Sequence, residues 1–129
     1  MVKTAAILFG IVFLAIGVLG FVPGITTPMG DGTGGMLLGI FHVNLAHNVV
    51  HLLTGAVALF AGMASAGAAR TFFRIFGVVY ALVAVLGFVQ GDGMLLGLIS
   101  NNTADTWLHV GIAVVSLFLG FVAKDTTTV

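Results

Sequence analysis

The chain has 129 residues, of which 60% are hydrophobic and only 6% charged, with no cysteine and a formal net charge of zero. Its mean hydropathy of +1.25 excludes an ordinary water-soluble domain, because so few charges could not cover so apolar a surface. The sequence lacks the basic patch that nucleic acid requires, and without cysteine it can form neither disulfides nor thiolate metal sites. The composition therefore predicts a membrane protein whose solvent is the lipid bilayer.

Four stretches of mostly apolar residues follow one another along the chain. They lie at about residues 4–22, 45–65, 71–90 and 104–123. Each has the roughly 20 residues that an α-helix needs to cross a bilayer. They leave no room for a soluble domain, so residues 1–129 are expected to form a single membrane domain. The predicted fold class is all-α: a polytopic membrane protein with four transmembrane helices.

The two halves of the sequence resemble each other. Residues 9–24 and 76–91 share nine identities in sixteen positions. Residues 35–62 align without a gap with residues 93–120, and twelve of these twenty-eight positions are identical. This internal similarity predicts two tandem repeats of two helices each.

Repeat 1 covers about residues 4–65 and repeat 2 about residues 71–123. Because each repeat holds two helices, both halves would cross the membrane in the same sense, related by a parallel pseudo-two-fold axis. The basic residues all fall on one side of the predicted bundle: Lys3, Arg70, Arg74 and Lys124. The positive-inside rule then predicts that the N- and C-termini are cytoplasmic.

Polar side chains recur on one face of the second and fourth helices, at the end away from the basic residues. The face carries Asn44, His47, Asn48 and His51 on the second helix, and Asn102, Asp105, Thr106 and His109 on the fourth. Residues three, four and seven apart share a helix face, so each set forms one stripe. Ionisable groups inside a membrane helix are costly and indicate function by default.

The stripes suggest a ligand site. Imidazole and carboxylate groups bind Zn²⁺ and other divalent transition metals. The candidate metal ligands are His47, His51, Asp105 and His109, and the candidates to hold them in orientation are Asn44, Asn48 and Asn102. Alternatively, His51 and His109 could bind a cofactor such as haem or a pigment, or the cluster could handle protons.

A structural explanation stands beside these. Asn44, Asn102 and Asp105 lie near helix starts, where such side chains cap free N–H groups. A neutral histidine can also donate a hydrogen bond across a helix interface. His42, which the repeat pairs with a serine, is expected to be a solvated loop residue.

Small residues continue both stripes toward the basic end of the predicted bundle. They are Gly55, Ala58 and Gly62 on the second helix, and Ala113, Ser116 and Gly120 on the fourth. Small residues at this spacing let membrane helices approach closely, which predicts that the second and fourth helices cross. The repeated GMLLG segments at 35–39 and 93–97 are too short to span. They are expected either to lie in the outer interface or to dip briefly into the bilayer.

Three local patterns carry a resemblance to a known family. They are N-x2-H-N-x2-H from Asn44 to His51, A-R-T-x2-R from Ala69 to Arg74, and N-x2-A-D-x-W-L-H from Asn101 to His109. Over roughly residues 4–123 the chain resembles the small bacterial four-helix membrane proteins catalogued as domain of unknown function 4383. The resemblance implies a bacterial inner-membrane protein with no assigned activity, and it supplies no catalytic residues.

The sequence thus predicts a non-enzymatic membrane protein of structural or accessory type. It would pack with itself as a homo-oligomer or join a larger membrane complex. The alternative is a membrane ligand-binding protein that holds a metal ion or a His-ligated cofactor near the extracytoplasmic face, between the second and fourth helices.

Overall fold

The structure, a computed structural model, describes residues 1–124 and is mostly helical. Its helices are α1 (Val2–Leu19), α2 (Leu45–Ala64), α3 (Ala66–Gln90) and α4 (Thr103–Leu117), and α4 continues as a π-helical turn (Phe118–Val122). All four are long and apolar enough to cross a membrane, which confirms the predicted spans. The structure also contains two small antiparallel sheets, which the all-α prediction did not include.

The helices pack as two antiparallel hairpins, α1 with α2 and α3 with α4. Glycine makes both contacts close. A Cβ atom on Gly10 would lie 2.7 Å from the carbonyl oxygen of Gly55, and one on Gly77 would lie 2.9 Å from the backbone nitrogen of Leu117. In lipid, where apolar side chains gain nothing by leaving solvent, such close backbone packing is what holds helices together.

The small residues predicted to join α2 to α4 serve within the hairpins instead. Gly55 and Gly62 pack against α1, and Gly120 packs against the backbone of Arg74 in α3. Ala58, Ala113 and Ser116 are buried as well. The predicted crossing of α2 over α4 is therefore wrong for this end of the bundle. The connections within each hairpin bring antiparallel neighbours together, and these neighbours occupy the glycine faces.

An aromatic cluster joins the two hairpins through α1 and α3. Phe9 packs edge-on against Phe76 with ring centroids 5.3 Å apart, and the ring centroids of Phe76 and Tyr80 are 4.2 Å apart. Phe13 contacts both Phe76 and Tyr80. Such aromatic pairs add stabilisation beyond the area they bury, so this cluster is the apolar core of the bundle.

Short strands fill the connections inside each hairpin. The first sheet has three strands, β1 (Thr26–Pro28), β2 (Gly35–Leu37) and β3 (Phe41–Val43), and the second has two, β4 (Gly93–Leu95) and β5 (Ile99–Asn101). The GMLLG segments form the tight turns β2–β3 and β4–β5. In both turns a leucine takes a positive φ, 54° at Leu38 and 54° at Leu96. This conformation is uncommon for a residue with a side chain.

The opposite end of the bundle carries the basic residues. Ser65 alone separates α2 from α3, as the C-cap of one and the N-cap of the other. Arg74 Nε donates to the carbonyl oxygen of Gly120 at 2.7 Å, and Arg70 Nη1 donates to that of Ala123 at 2.7 Å. These cations satisfy carbonyls that every helix C-terminus leaves without a helical partner.

Candidate functional site

The polar stripes of α2 and α4 form two layers at the sheet end of the bundle. In the outer layer, Asn44 Oδ1 accepts the N–H of His47 at 2.9 Å and so caps α2. Asn102 Oδ1 accepts the N–H of Asp105 at 2.8 Å and so caps α4. Both asparagines therefore do what the structural explanation predicted, since an N-cap side chain satisfies a free helix donor.

The same two asparagines also connect the halves of the chain. Asn44 Nδ2 donates to the carbonyl oxygen of Leu98 at 3.0 Å, and Asn102 Nδ2 donates to that of Ile40 at 2.9 Å. Each side chain caps its own helix and reaches the turn of the other hairpin. We call Asn44 and Asn102 with these two bonds the asparagine clasp.

Asp105 belongs to the outer layer as well. Its Oδ2 accepts the backbone N–H of Asn102 at 3.0 Å, completing a capping box, and also the backbone N–H of His42 at 3.0 Å. The side chain is only 2% exposed. The carboxylate thus joins the start of α4 to β3 of the first half.

His42 is buried, at 5% exposure, and the expectation of a solvated loop residue is wrong. β3, which contains His42, lies beside the start of α4. There the N–H of His42 donates to the carboxylate of Asp105, and Ser100 Oγ donates to the carbonyl oxygen of His42 at 3.1 Å. His42 Nε2 lies 3.1 Å from the carbonyl oxygen of Thr33. The Thr33 hydroxyl and N–H in turn donate to Asp31, and these bonds hold the pKa of that exposed carboxyl below its ordinary value.

The inner layer is a histidine cluster formed by His47, His51 and His109. The ring centroids of His47 and His51 are 4.5 Å apart, and those of His47 and His109 are 6.1 Å apart. Tyr80 of α3 stands edge-on to His109 at 5.2 Å. The cluster is therefore the place where α2, α3 and α4 meet, and its three imidazoles are almost fully buried.

The three imidazoles differ in their hydrogen bonds. His47 Nδ1 lies 3.1 Å from the carbonyl oxygen of His42, an acceptor that can only pair with an N–H. In residues 1–124, Nδ1 of His51 and Nδ1 of His109 are buried and have no hydrogen-bond partner. A buried polar atom left without a partner costs roughly 1–3 kcal/mol, so the fold alone does not explain these two groups.

A cleft of about 750 Å³ runs from the histidine cluster between α2 and α3. His47, His109 and Tyr80 line one end, and small residues of the α2–α3 junction, Ala61 and Gly67, line the other. Its walls are otherwise almost wholly apolar. Such a cavity, with a few polar groups at one point, is the usual form of a small-molecule site.

The profile of the family described as Domain of unknown function (DUF4383) matches residues 3–122. The chain belongs to this family. The matched region of the DUF4383 protein includes all four helices, the asparagine clasp and the histidine cluster. No curated protein and no solved structure matches the chain.

The structure separates the site residues that the sequence grouped together. It brings His47, His51 and His109 into one cluster, but the Asp105 carboxylate accepts two backbone N–H groups of the outer layer. Asn48, expected to orient a ligand, donates to the carbonyl oxygen of Gly20 in α1 at 3.1 Å. Among the described residues of the DUF4383 protein, no three His, Asp or Glu side chains are arranged to hold a metal ion.

Nothing in the sequence singled out Tyr80, whose ring lies edge-on to His109. The available signal was its alignment with Phe13 in the internal repeat, since a hydroxyl stands where the partner position has none. The cleft itself had no local signal. Its lining comes from apolar residues of α2 and α3 that are indistinguishable in sequence from lipid-facing ones.

Proposed function

We propose that this DUF4383 protein binds a small ligand within the membrane, at the histidine cluster and the adjoining cleft. One observation carries the proposal: the buried Nδ1 atoms of His51 and His109 have no partner among the described residues. The polar side chains of the outer layer cap helices or link the hairpins, whereas these two imidazoles do neither. His109 lines the cleft, and His51 belongs to the same cluster beside His47. A ligand that hydrogen-bonds or coordinates these imidazoles would remove the cost of burying them unpaired.

The proposed role is binding and not catalysis. Among the described residues no carboxylate lines the cleft, and the nearby Asp105 accepts the N–H groups of His42 and Asn102. A metal ion, haem or a pigment remains an alternative to an organic ligand, and each would use His51 and His109.

The accessory role, in a homo-oligomer or a larger membrane complex, is less well supported. Helix association in membranes relies on small-residue faces. The faces available here, at Gly55, Gly62 and Gly120, are already occupied by helices of the same chain. These residues therefore support internal packing and leave the partner without a dedicated surface on them.

We propose further that the protein lies in the bacterial inner membrane with both termini cytoplasmic and the histidine cluster near the extracytoplasmic face. The basic side chains of Arg70 and Arg74 lie at the end of the bundle opposite the sheets. The positive-inside rule supports a cytoplasmic position for that end. The proposed parallel pseudo-two-fold axis is supported by the asparagine clasp, in which Asn44 and Asn102 make reciprocal bonds.

The test is to identify what purifies with the protein. Protein prepared in mild detergent without chelator would be examined by metal analysis, by ultraviolet–visible absorption and by mass spectrometry of its organic extract. A His51→Leu/His109→Leu variant removes both unpaired nitrogens. Ser116→Ala is the matched control, because it removes an unpaired buried Oγ from α4 outside the cleft.

We expect a metal, a cofactor band or one organic molecule in near-stoichiometric amount in the wild type and in Ser116→Ala. The double histidine variant should lose it. Folded wild-type protein that carries none of the three in near-stoichiometric amount would contradict the proposed function.

A further inference from the structure

We propose that the cleft binds a neutral amphipathic lipid of the isoprenoid quinone class. Its oxygen-bearing ring would lie against His109 and Tyr80, and its tail would follow the cleft toward Ala61 and Gly67. This inference rests on the proposed function, because it names the chemical class of ligand for the same site.

The dimensions of the cleft suit a single long tail. Along α2 the lining extends from His47 to Ala61, which at 1.5 Å per residue is about 21 Å. Along α3 it extends from Val83 to Gly67, about 24 Å by the same measure. The cleft is apolar along most of its length, with imidazoles and Tyr80 at one end and two threonines, Thr54 and Thr71, farther along it. This arrangement suits a molecule with one compact head and one extended tail.

The charges around the cleft indicate a neutral head. Within residues 1–124, no lysine, arginine, aspartate or glutamate lines it. A phosphate or carboxylate placed at the histidine cluster would therefore be buried without a counter-charge, which is strongly unfavourable. An ammonium group is equally unfavourable there, because Asp105, the nearby carboxylate, is not among the residues that line the cleft.

A phospholipid whose head lies at the basic end of the bundle does not explain the histidine cluster either. Its phosphate would lie near Arg70 and Arg74, whose guanidinium groups already donate to carbonyl oxygens at the end of α4. Its acyl chain would then end against the imidazoles. Nδ1 of His109 would stay unpaired, so the observation that points to a ligand would remain unexplained.

The hydrogen-bonding groups at the histidine end of the cleft match a ring that carries oxygen atoms. A neutral imidazole donates through one nitrogen and accepts through the other, and a phenol hydroxyl does both. His109 and Tyr80 could thus pair with the carbonyls of a quinone or the hydroxyls of a quinol. Their rings meet at 83° with centroids 5.2 Å apart, which gives a planar head aromatic surfaces to contact.

The test is photo-cross-linking with a defined probe. The probe is decylubiquinone with a diazirine at the end of its tail, added to full-length protein in nanodiscs of phosphatidylethanolamine and phosphatidylglycerol. We expect labels on α2 and α3 near Ala61 and Gly67. An excess of unlabelled decylubiquinone should remove them, and the same excess of lysophosphatidylglycerol should not.

Two variants test the head. Tyr80→Phe keeps the ring and should fold, because phenylalanine stands at the aligned position 13. Tyr80→Phe and His109→Leu should each weaken probe binding by about two- to tenfold, as expected for one lost hydrogen bond. Ser116→Ala should bind as the wild type does, with thermal stability recorded for all variants.

Several outcomes would overturn the quinone assignment. They are equal competition by lysophosphatidylglycerol, wild-type probe affinity in both folded head variants, or labels that form only after dilution to monomer because a second copy otherwise fills the cleft. If stoichiometric metal or haem is found and the probe does not bind, the ligand class is wrong while the proposed function stands. If nothing co-purifies and no specific label forms, both proposals fail.

Discussion

The asparagine clasp gives a quantitative prediction, because each of its side chains performs two separable tasks. Asn102→Ala removes the N-cap of α4, worth about 1 kcal/mol, and the bond to the Ile40 carbonyl oxygen, worth about 1 kcal/mol more. Asn102→Ser keeps a capping oxygen but has no donor that can replace Nδ2. We therefore expect the free energy of unfolding to fall by about 2 kcal/mol for alanine and by about 1 kcal/mol for serine.

Asn44→Ser should cost about the same as Asn102→Ser, since it loses the equivalent bond to Leu98. The measurement is equilibrium unfolding by sodium dodecyl sulfate in mixed micelles, followed by the fluorescence of Trp107, the one tryptophan of the chain. Trp107 packs edge-on against Phe88, so its emission reports the contact between α3 and α4. If serine proved as damaging as alanine, or if neither differed from the wild type, the clasp would not contribute as described.

Three further predictions follow from features outside the site. Gly10→Ala should destabilise the protein by roughly 1–3 kcal/mol, because its Cβ atom would clash with the carbonyl oxygen of Gly55. Gly111→Ala has open space around the new Cβ atom and should stabilise α4 by about 0.5 kcal/mol. Thermal unfolding in detergent measures both effects. Arg70→Gln should speed amide hydrogen exchange in the π-helical turn, because the carbonyl oxygens of Leu119, in the turn, and Ala123, just after it, lose their cationic donor. Unchanged exchange would show that Arg70 does not stabilise the turn. Green fluorescent protein fused to either terminus should fluoresce, whereas the same protein inserted in the loop between β1 and β2 should stay dark. The reverse pattern would show that the termini are not cytoplasmic.

The transmembrane helices were predictable because their signal is local. Length and hydropathy alone identify a transmembrane span, and the charged residues Arg70 and Arg74 lie near the start of the third one, α3. The β-hairpins were not predictable, because their turns put Leu38 and Leu96 at positive φ, where sequence rules expect glycine or asparagine. The residues of the GMLLG segments were noticed, but their apolar character suggested the membrane interface.

The polar site was predictable as a set of residues and not as an arrangement. Helical spacing placed His47 and His51 on one face, which the structure confirms by ring centroids 4.5 Å apart. The division into two layers depends on contacts between distant parts of the chain, such as that of Asp105 with His42. Spacing on α2 also could not tell which neighbour its small residues face, and so the partner of Gly55 was misassigned to α4.

The bond between the His42 N–H and Asp105 has a consequence for biogenesis. The two residues are 63 positions apart, so the ribosome makes the whole first hairpin before Asp105 exists. α1 and α2 can pack through their glycines on their own. The N–H of His42 and Nδ2 of Asn44, however, have their acceptors in the second hairpin and lack them until it is made. Insertion should therefore pass through a hairpin intermediate with unpaired donors at its outer end, and a chain truncated before α4 should be the preferred substrate of membrane quality-control proteases.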